Sequence, residues 1–197
     1  MKKSTVAIAV VLGFLGVIGL AAAVVAFGYF AVKGVSSGPP TEAQKRLVLS
    51  AAAFDSYEVD LDPKCVQLTS KRNLDRTHEI SFEHDCEGSD IYVSSGAEIC
   101  PSVRDARESF VISVGAYRTG VAIGDAELQS RAALLPLGDE RYAAIIRNNG
   151  KPVGNVFVVR QGRVLHSLLV TGLYFDKAED VRELFTPLLA ESKKQFP

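Results

Sequence analysis

Tryptophan is absent from the 197 residues and methionine occurs once, as Met1. Neither absence narrows the function, but a third one does. From Val6 to Val32 the chain runs 27 residues with no charged side chain, between Lys2-Lys3 and Lys33. A hydrocarbon core about 30 Å thick needs roughly 20 apolar residues at about 1.5 Å rise each, so residues 6–32 are expected to form a transmembrane helix with some tilt. The apolar part of a cleavable secretory signal is shorter, about 7 to 15 residues. Here it continues past Ala21-Ala22-Ala23 through Val24, Val25, Phe27, Tyr29 and Phe30, which favours retention over cleavage. Residues 1–5 then form a short tail that Lys2, Lys3 and the terminal amine place in the cytoplasm, with the C-terminal part extracytoplasmic. This is the layout of a single-pass membrane protein anchored in the lipid bilayer through residues 6–32.

Small residues recur along the span at Ala9, Gly13, Gly16, Gly19, Ala23 and Ala26. Such spacing lets two helix backbones approach and makes a homodimer one expectation, although Gly and Ala are also common in membrane helices generally. Residues 33–40 read as a Gly/Ser/Pro linker, flexible at first and stiffened by Pro39-Pro40. Residues 41–197 follow as one extracytoplasmic domain, long enough to bury a core without staples.

An excess of basic charge is also missing. Residues 1–40 hold three of the 22 basic side chains and none of the 23 acidic ones, leaving 19 against 23, a net −4, from Thr41 onward. Phosphate neutralisation needs a dense basic face, so no nucleic-acid partner is expected. Cysteine is scarce and odd in number: Cys65, Cys86 and Cys100. In an exported domain that suggests one bridge and one free thiol, with three reduced thiols the alternative if the orientation is reversed. Cys65 starts a strand and Cys86 ends the antiparallel strand after it, which puts them at the same end of the sheet and favours a disulfide between them. Cys100 falls at the opposite end. Beside a helix start its thiol pKa would be lowered, although a small buried residue is the commoner role there.

Periodicity predicts a first helix over about 42–54, N-capped by Thr41, with Leu47, Val48, Ala51 and Phe54 on one face. A strand is expected through Tyr57, Val59 and Leu61, and a short return strand from Val66, followed by a polar loop over 70–76. Strict alternation then marks a strand over 78–85, with His78, Ile80, Phe82 and His84 on one face. Its two histidines lie some 20 Å apart along the strand at about 3.3 Å per residue, so they cannot share one ion. Ile91 and Val93 continue the sheet. A long helix from Pro101 to about Arg118 buries Val103, Ala106, Phe110, Val114 and Tyr117, pairs Arg104 with Glu108, and stops at Gly120. Asn149-Gly150 reads as a two-residue hairpin turn and Gln161-Gly162 as a second. Pairing Asn148 with Lys151 and Arg160 with Arg163 sets Tyr142, Phe157 and His166 in one row across three strands. Both faces of these strands are apolar, so helices should cover both. A last helix is expected to be capped by Asp176 and bent or broken at Pro187.

No nucleophile elbow, phosphate loop, zinc spacing or dinucleotide fingerprint occurs. No catalytic residue, metal ligand or cofactor is therefore assigned. Tyr142, Phe157 and His166 remain the candidate binding residues; the bland alternative is a core histidine with one satisfied nitrogen.

With Leu137-Gly138-Asp139-Glu140 before the meander and Val159-Arg160-Gln161-Gly162-Arg163-Val164 within it, the order of elements resembles the PsbP-like α/β/α sandwich. That family includes the photosystem II extrinsic subunit and many bacterial lipoproteins. The resemblance covers about Thr41 to Pro197 and implies an α+β fold, an antiparallel sheet covered by helices. It also implies a binding or assembly accessory that engages a protein partner or envelope component, with no catalytic constellation to carry over. Unlike the lipoprotein members, this chain has no cysteine close after its apolar run. The alternatives are an exported hydrolase using His166 in a pocket, and a structural membrane subunit.

Overall fold

The computed structural model describes residues 34–57, 59, 61–123 and 126–197. The tail expected over 1–5 and the transmembrane helix expected over 6–32 lie outside the described residues. Among the described residues no helix is long and apolar enough to cross a membrane.

Alternating and β-branched runs build eight strands: β1 (Gly34–Gly38), β2 (Val66–Asn73), β3 (His78–Asp85), β4 (Tyr92–Ile99), β5 (Glu127–Ser130), β6 (Glu140–Asn148), β7 (Lys151–Gln161) and β8 (Val164–Thr171). They form one open sheet in the order β1-β2-β3-β4-β8-β7-β6-β5, antiparallel at every pairing. Three helices pack with it: α1 (Glu42–Lys45), α2 (Val103–Ile123) and α3 (Ala178–Gln195). The domain is α+β. From β4 the chain leaves through α2 to the far edge at β5, then returns as a meander until β8 lies against β4.

Each sheet face carries its own apolar cluster. On one, Val114 and Tyr117 of α2 meet Tyr142, Ala144, Ile146, Val156, Val158 and Leu169. On the other, Val181, Leu184, Phe185 and Leu188 of α3 meet Ala143, Ile145, Phe157, Val159 and Leu168. Phe157 sits edge-on to Phe185 with ring centroids 5.8 Å apart. Burying an aromatic or aliphatic side chain of this size stabilises by about 1.5 to 3 kcal/mol, so these facing stripes hold the helices to the sheet.

Strand β3 spans the residues its alternation predicts, and Asn149 and Gly150 both take positive φ, 50° and 75°, as their hairpin requires. Elsewhere the structure departs from expectation. Gly34–Gly38 is paired as an edge strand on β2 rather than left as a free tether; an open strand edge offers unpaired backbone groups that another extended segment can meet. Thr41 caps α1 through a reciprocal box with Gln44, yet the helix is one turn long. Leu47, Val48 and Leu49 are all buried, which three successive helical positions cannot achieve against a single face. They cross the sheet as an irregular strap instead, and the Leu49 N–H donates to Ser95 Oγ at 3.0 Å. A 3-10 segment over Ala51–Tyr57 then buries Phe54, and Tyr57, Val59 and Leu61, expected in a strand, lie outside any strand. β2 extends to Asn73, through most of the expected polar loop.

Gly120 does not stop α2, which continues to Ile123, and Val103 stays half-exposed at its start. Arg104 and Glu108 do pair, at 3.2 Å. At α3 the N-cap is Lys177, with no side-chain cap from Asp176, and the helix runs unbroken through Pro187.

Candidate functional site

The row of Tyr142, Phe157 and His166 does not form. A bulge between Ile146 and Arg147 slips the β6–β7 register by one, so Tyr142 faces Val158 and Phe157 faces Ala143. Because side chains alternate, a one-residue slip moves Tyr142 to the opposite face, under α2, where the Arg118 guanidinium lies 5.0 Å from its ring centroid. The second hairpin turns at Gly162-Arg163, one residue later than predicted, pairing Val159 with His166 and Phe157 with Leu168. Phe157 and His166 share the α3 face, offset by two residues.

His166 is wholly buried, and both ring nitrogens are used. Nδ1 lies 3.0 Å from the Leu47 carbonyl oxygen and Nε2 lies 2.7 Å from Ser192 Oγ. Since a carbonyl only accepts, Nδ1 carries the proton, and Nε2 accepts from the serine hydroxyl. No strand register could have found Ser192, because it comes from α3. The pair has the polarity of a serine–histidine dyad, yet Ser192 is itself buried, and the two serve to tie the strap, β8 and α3 together.

Burial brings the His166 pKa down to about 4 from its ordinary 6.5. Between those values the unfolded chain binds the extra proton, so stability falls as pH drops from about 6.5 and levels off below about 4. The full loss is about 3 kcal/mol. Glu79 acts in the opposite sense. Burial raises its carboxyl to about 7, against the hydrogen bond it accepts from Asn73. Its contribution is present below about 4.5 and is lost as pH rises through 7. Because the two contributions oppose each other over this window, the test is the difference between chains: the stability of His166→Gln in urea is expected to gain on that of the native chain as pH falls from 6.5 to 4, by about 3 kcal/mol in all. A difference between the two chains that stays constant with pH would show that His166 does not contribute in this way.

The two sequence phrases around Gly138 and Arg160 meet as a clamp. Arg160 is 3% exposed, and its guanidinium donates to Asp139 at 3.0 Å, to Glu140, and to the Gly162 carbonyl at 2.6 Å. Asp139 also accepts from the Gly162 N–H at 2.8 Å. This network fixes the β7–β8 hairpin to the entry of β6.

Cys65 and Cys86 are joined as a disulfide between the start of β2 and the end of β3, with Cα atoms 5.1 Å apart. Cys100 is free and buried. Its thiol is pushed up to about 12, by burial first and then by the Glu98 carboxylate, which reverses the lowered value expected at a helix start.

A concavity of about 460 Å³ lies elsewhere, at the β5–β7 end of the sheet. Arg131, Arg147, Asp176 and Tyr174 supply its polar groups, while Leu134, Ile145 and Pro152 supply its apolar floor. Arg147 is held by Nε donating to Gln129 Oε1 at 2.8 Å and Nη1 donating to the Gly150 carbonyl at 2.5 Å. That uses two of its five N–H groups. Tyr174 is 44% exposed. The segment carrying Tyr174 and Asp176 is fixed between them: Phe175 N–H donates to Asn155 Oδ1 at 2.6 Å, and Asn155 Nδ2 donates to the Phe175 carbonyl at 3.1 Å. None of Tyr142, Phe157 or His166 lines this groove. Sequence periodicity could not mark it, because its residues come from a loop, two strands and the approach to α3. No family model, curated protein or solved structure matches the chain.

Proposed function

We propose that this is a single-pass membrane protein whose extracytoplasmic domain is a binding accessory, taking ligands or peptide ends that carry a carboxylate beside an apolar group. The groove is the observation that supports it: Arg131 and Arg147 supply planar donors for a carboxylate, with Tyr174, Ile145, Leu134 and Pro152 beside them as an apolar bed. Asp176 at the rim suits an accompanying amine or hydroxyl. The uncharged run over 6–32 and the Cys65–Cys86 disulfide support the membrane address and an oxidising compartment. Apolar clusters on both sheet faces support the α/β/α sandwich reading of the domain. The hydrolase alternative has less behind it, since His166 is sealed and spends both nitrogens on structural partners.

Ligand-observed NMR on the full-length protein in nanodiscs, with N-acetyl amino acids and their C-terminal amides as probes, tests the groove. The acids with apolar side chains are expected to bind and the amides not. Losing charge-assisted hydrogen bonds in Arg131→Ala/Arg147→Ala should weaken binding by about 10-fold or more. Equal binding of acids and amides would discard a carboxylate site. Protease added outside intact cells with a permeabilised outer barrier should remove the domain; protection would reverse the address.

A further inference from the structure

At the far end of the sheet from the groove, His84 is 1% exposed and neither ring nitrogen has a hydrogen-bond partner. Buried imidazoles almost always find a partner, so an orphaned one calls for a reason. Its neighbours supply one. Among the described residues, the sulfurs of Cys65 and Cys86 and a ring nitrogen of His84 all lie within 4.8 Å of one another. Cys86 follows His84 by two positions, just past the end of β3, while Cys65 immediately precedes Val66, the residue paired with His84. Backbone bonds fix this end: the Cys65 N–H donates to the Asp62 carbonyl, and the Ser89 N–H to the Cys86 carbonyl, both at 3.0 Å.

We propose that Cys65, His84 and Cys86 form a redox-gated site for a thiophilic d10 cation of the Zn(II) kind, closed as the disulfide and open when the disulfide is reduced. Two thiolates and a neutral imidazole are the donor set such ions prefer. Donor atoms around tetrahedral zinc stand about 3.5 to 4 Å apart, given bonds of about 2.3 Å to sulfur and 2.0 Å to nitrogen. Opening the S–S bond and rotating two side chains reaches that spacing without moving the strands, because the two Cα atoms are already 5.1 Å apart. A dithiol reductant delivers two electrons and two protons to the bridged sulfurs and leaves as its own disulfide. The cation then displaces both thiol protons to solvent and takes the His84 nitrogen as third ligand, with water completing the shell.

The test uses the full-length chain in detergent, metal-free, with Zn(II) alone and with Co(II) as its spectroscopic stand-in. After phosphine reduction the native chain should take up one Zn(II) against a chromophoric chelator, and its Co(II) form should show thiolate-to-cobalt charge transfer. The oxidised chain should do neither. His84→Ala should weaken Zn(II) binding by at least about 10-fold, the cost seen even when only a supporting residue of a metal site is lost. Cys100→Ser should leave it unchanged. Equal uptake by the oxidised chain, an unaltered affinity in His84→Ala, or loss in Cys100→Ser would overturn the site. The charge-transfer band needs no variant, so its absence from reduced native protein would overturn the site even if His84→Ala failed to fold.

Discussion

Gly172→Ala is expected to destabilise the domain by roughly 3 to 5 kcal/mol, the sum of a strained backbone and an overpacked contact. Gly172 follows β8 with φ of 81°, in the left-handed region that a side chain disfavours. A Cβ there would overlap the carbonyl oxygen of Asp90 and stand 2.7 Å from its carbonyl carbon. These are backbone atoms, so no rotamer change relieves them. The Gly172 N–H also donates to the Val153 carbonyl at 2.9 Å, and a shift that made room would strain that bond. Urea denaturation followed by far-UV circular dichroism should show the midpoint falling with the slope unchanged. A change under about 1 kcal/mol would mean that the loop before β4 yields freely.

Asn155→Ala should cost about 3 to 5 kcal/mol by a different route. Its wholly buried amide returns both backbone bonds of Phe175, and truncation strands that N–H and C=O away from water. An orphaned buried group costs about 1 to 3 kcal/mol, and there would be two. Phe175 would also lose its anchorage against Tyr57, whose ring centroid is 5.0 Å from its own. Asn155→Asp should rescue little, because a carboxylate can accept from the Phe175 N–H but repels its carbonyl. Near-native stability in the aspartate variant would show that the donated bond is dispensable. Since this clamp fixes Tyr174 and Asp176, the folded fraction of either variant should also bind carboxylate probes more weakly.

Local pattern made some of this legible and tertiary context hid the rest. Strand β3 could be delimited because His78 to Asp85 alternate without interruption and one face enters the core. The cysteine pair followed from two strand ends. The strap at Leu47-Val48-Leu49 could not be distinguished from a helix by its apolar content, because only the sheet beneath it decides that all three are buried. The Tyr142 row failed twice: the β7–β8 turn falls one residue late, and the bulge after Ile146, which leaves no mark that sequence spacing can count, inverts every side chain before it on β6. Turn chemistry at Asn149-Gly150 was sound and still could not protect the register beyond the bulge. His166 was a candidate binding residue with a core role as the alternative, and the groups that satisfy both its nitrogens, Ser192 and Leu47, lie 26 and 119 positions away where no local pattern reaches.

Strand β1 begins at Gly34, two positions beyond the end of the uncharged run at Val32. On the proposed anchoring this leaves almost no slack, since two residues span at most about 7 Å. The domain would then be held close to the bilayer at the Gly34 end of β1, its outermost strand. Six strand spacings of about 4.8 Å separate β1 from β6, so the arginine-lined groove lies roughly 30 Å across the sheet from that attachment, leaving it clear of the strand that would be crowded by lipid.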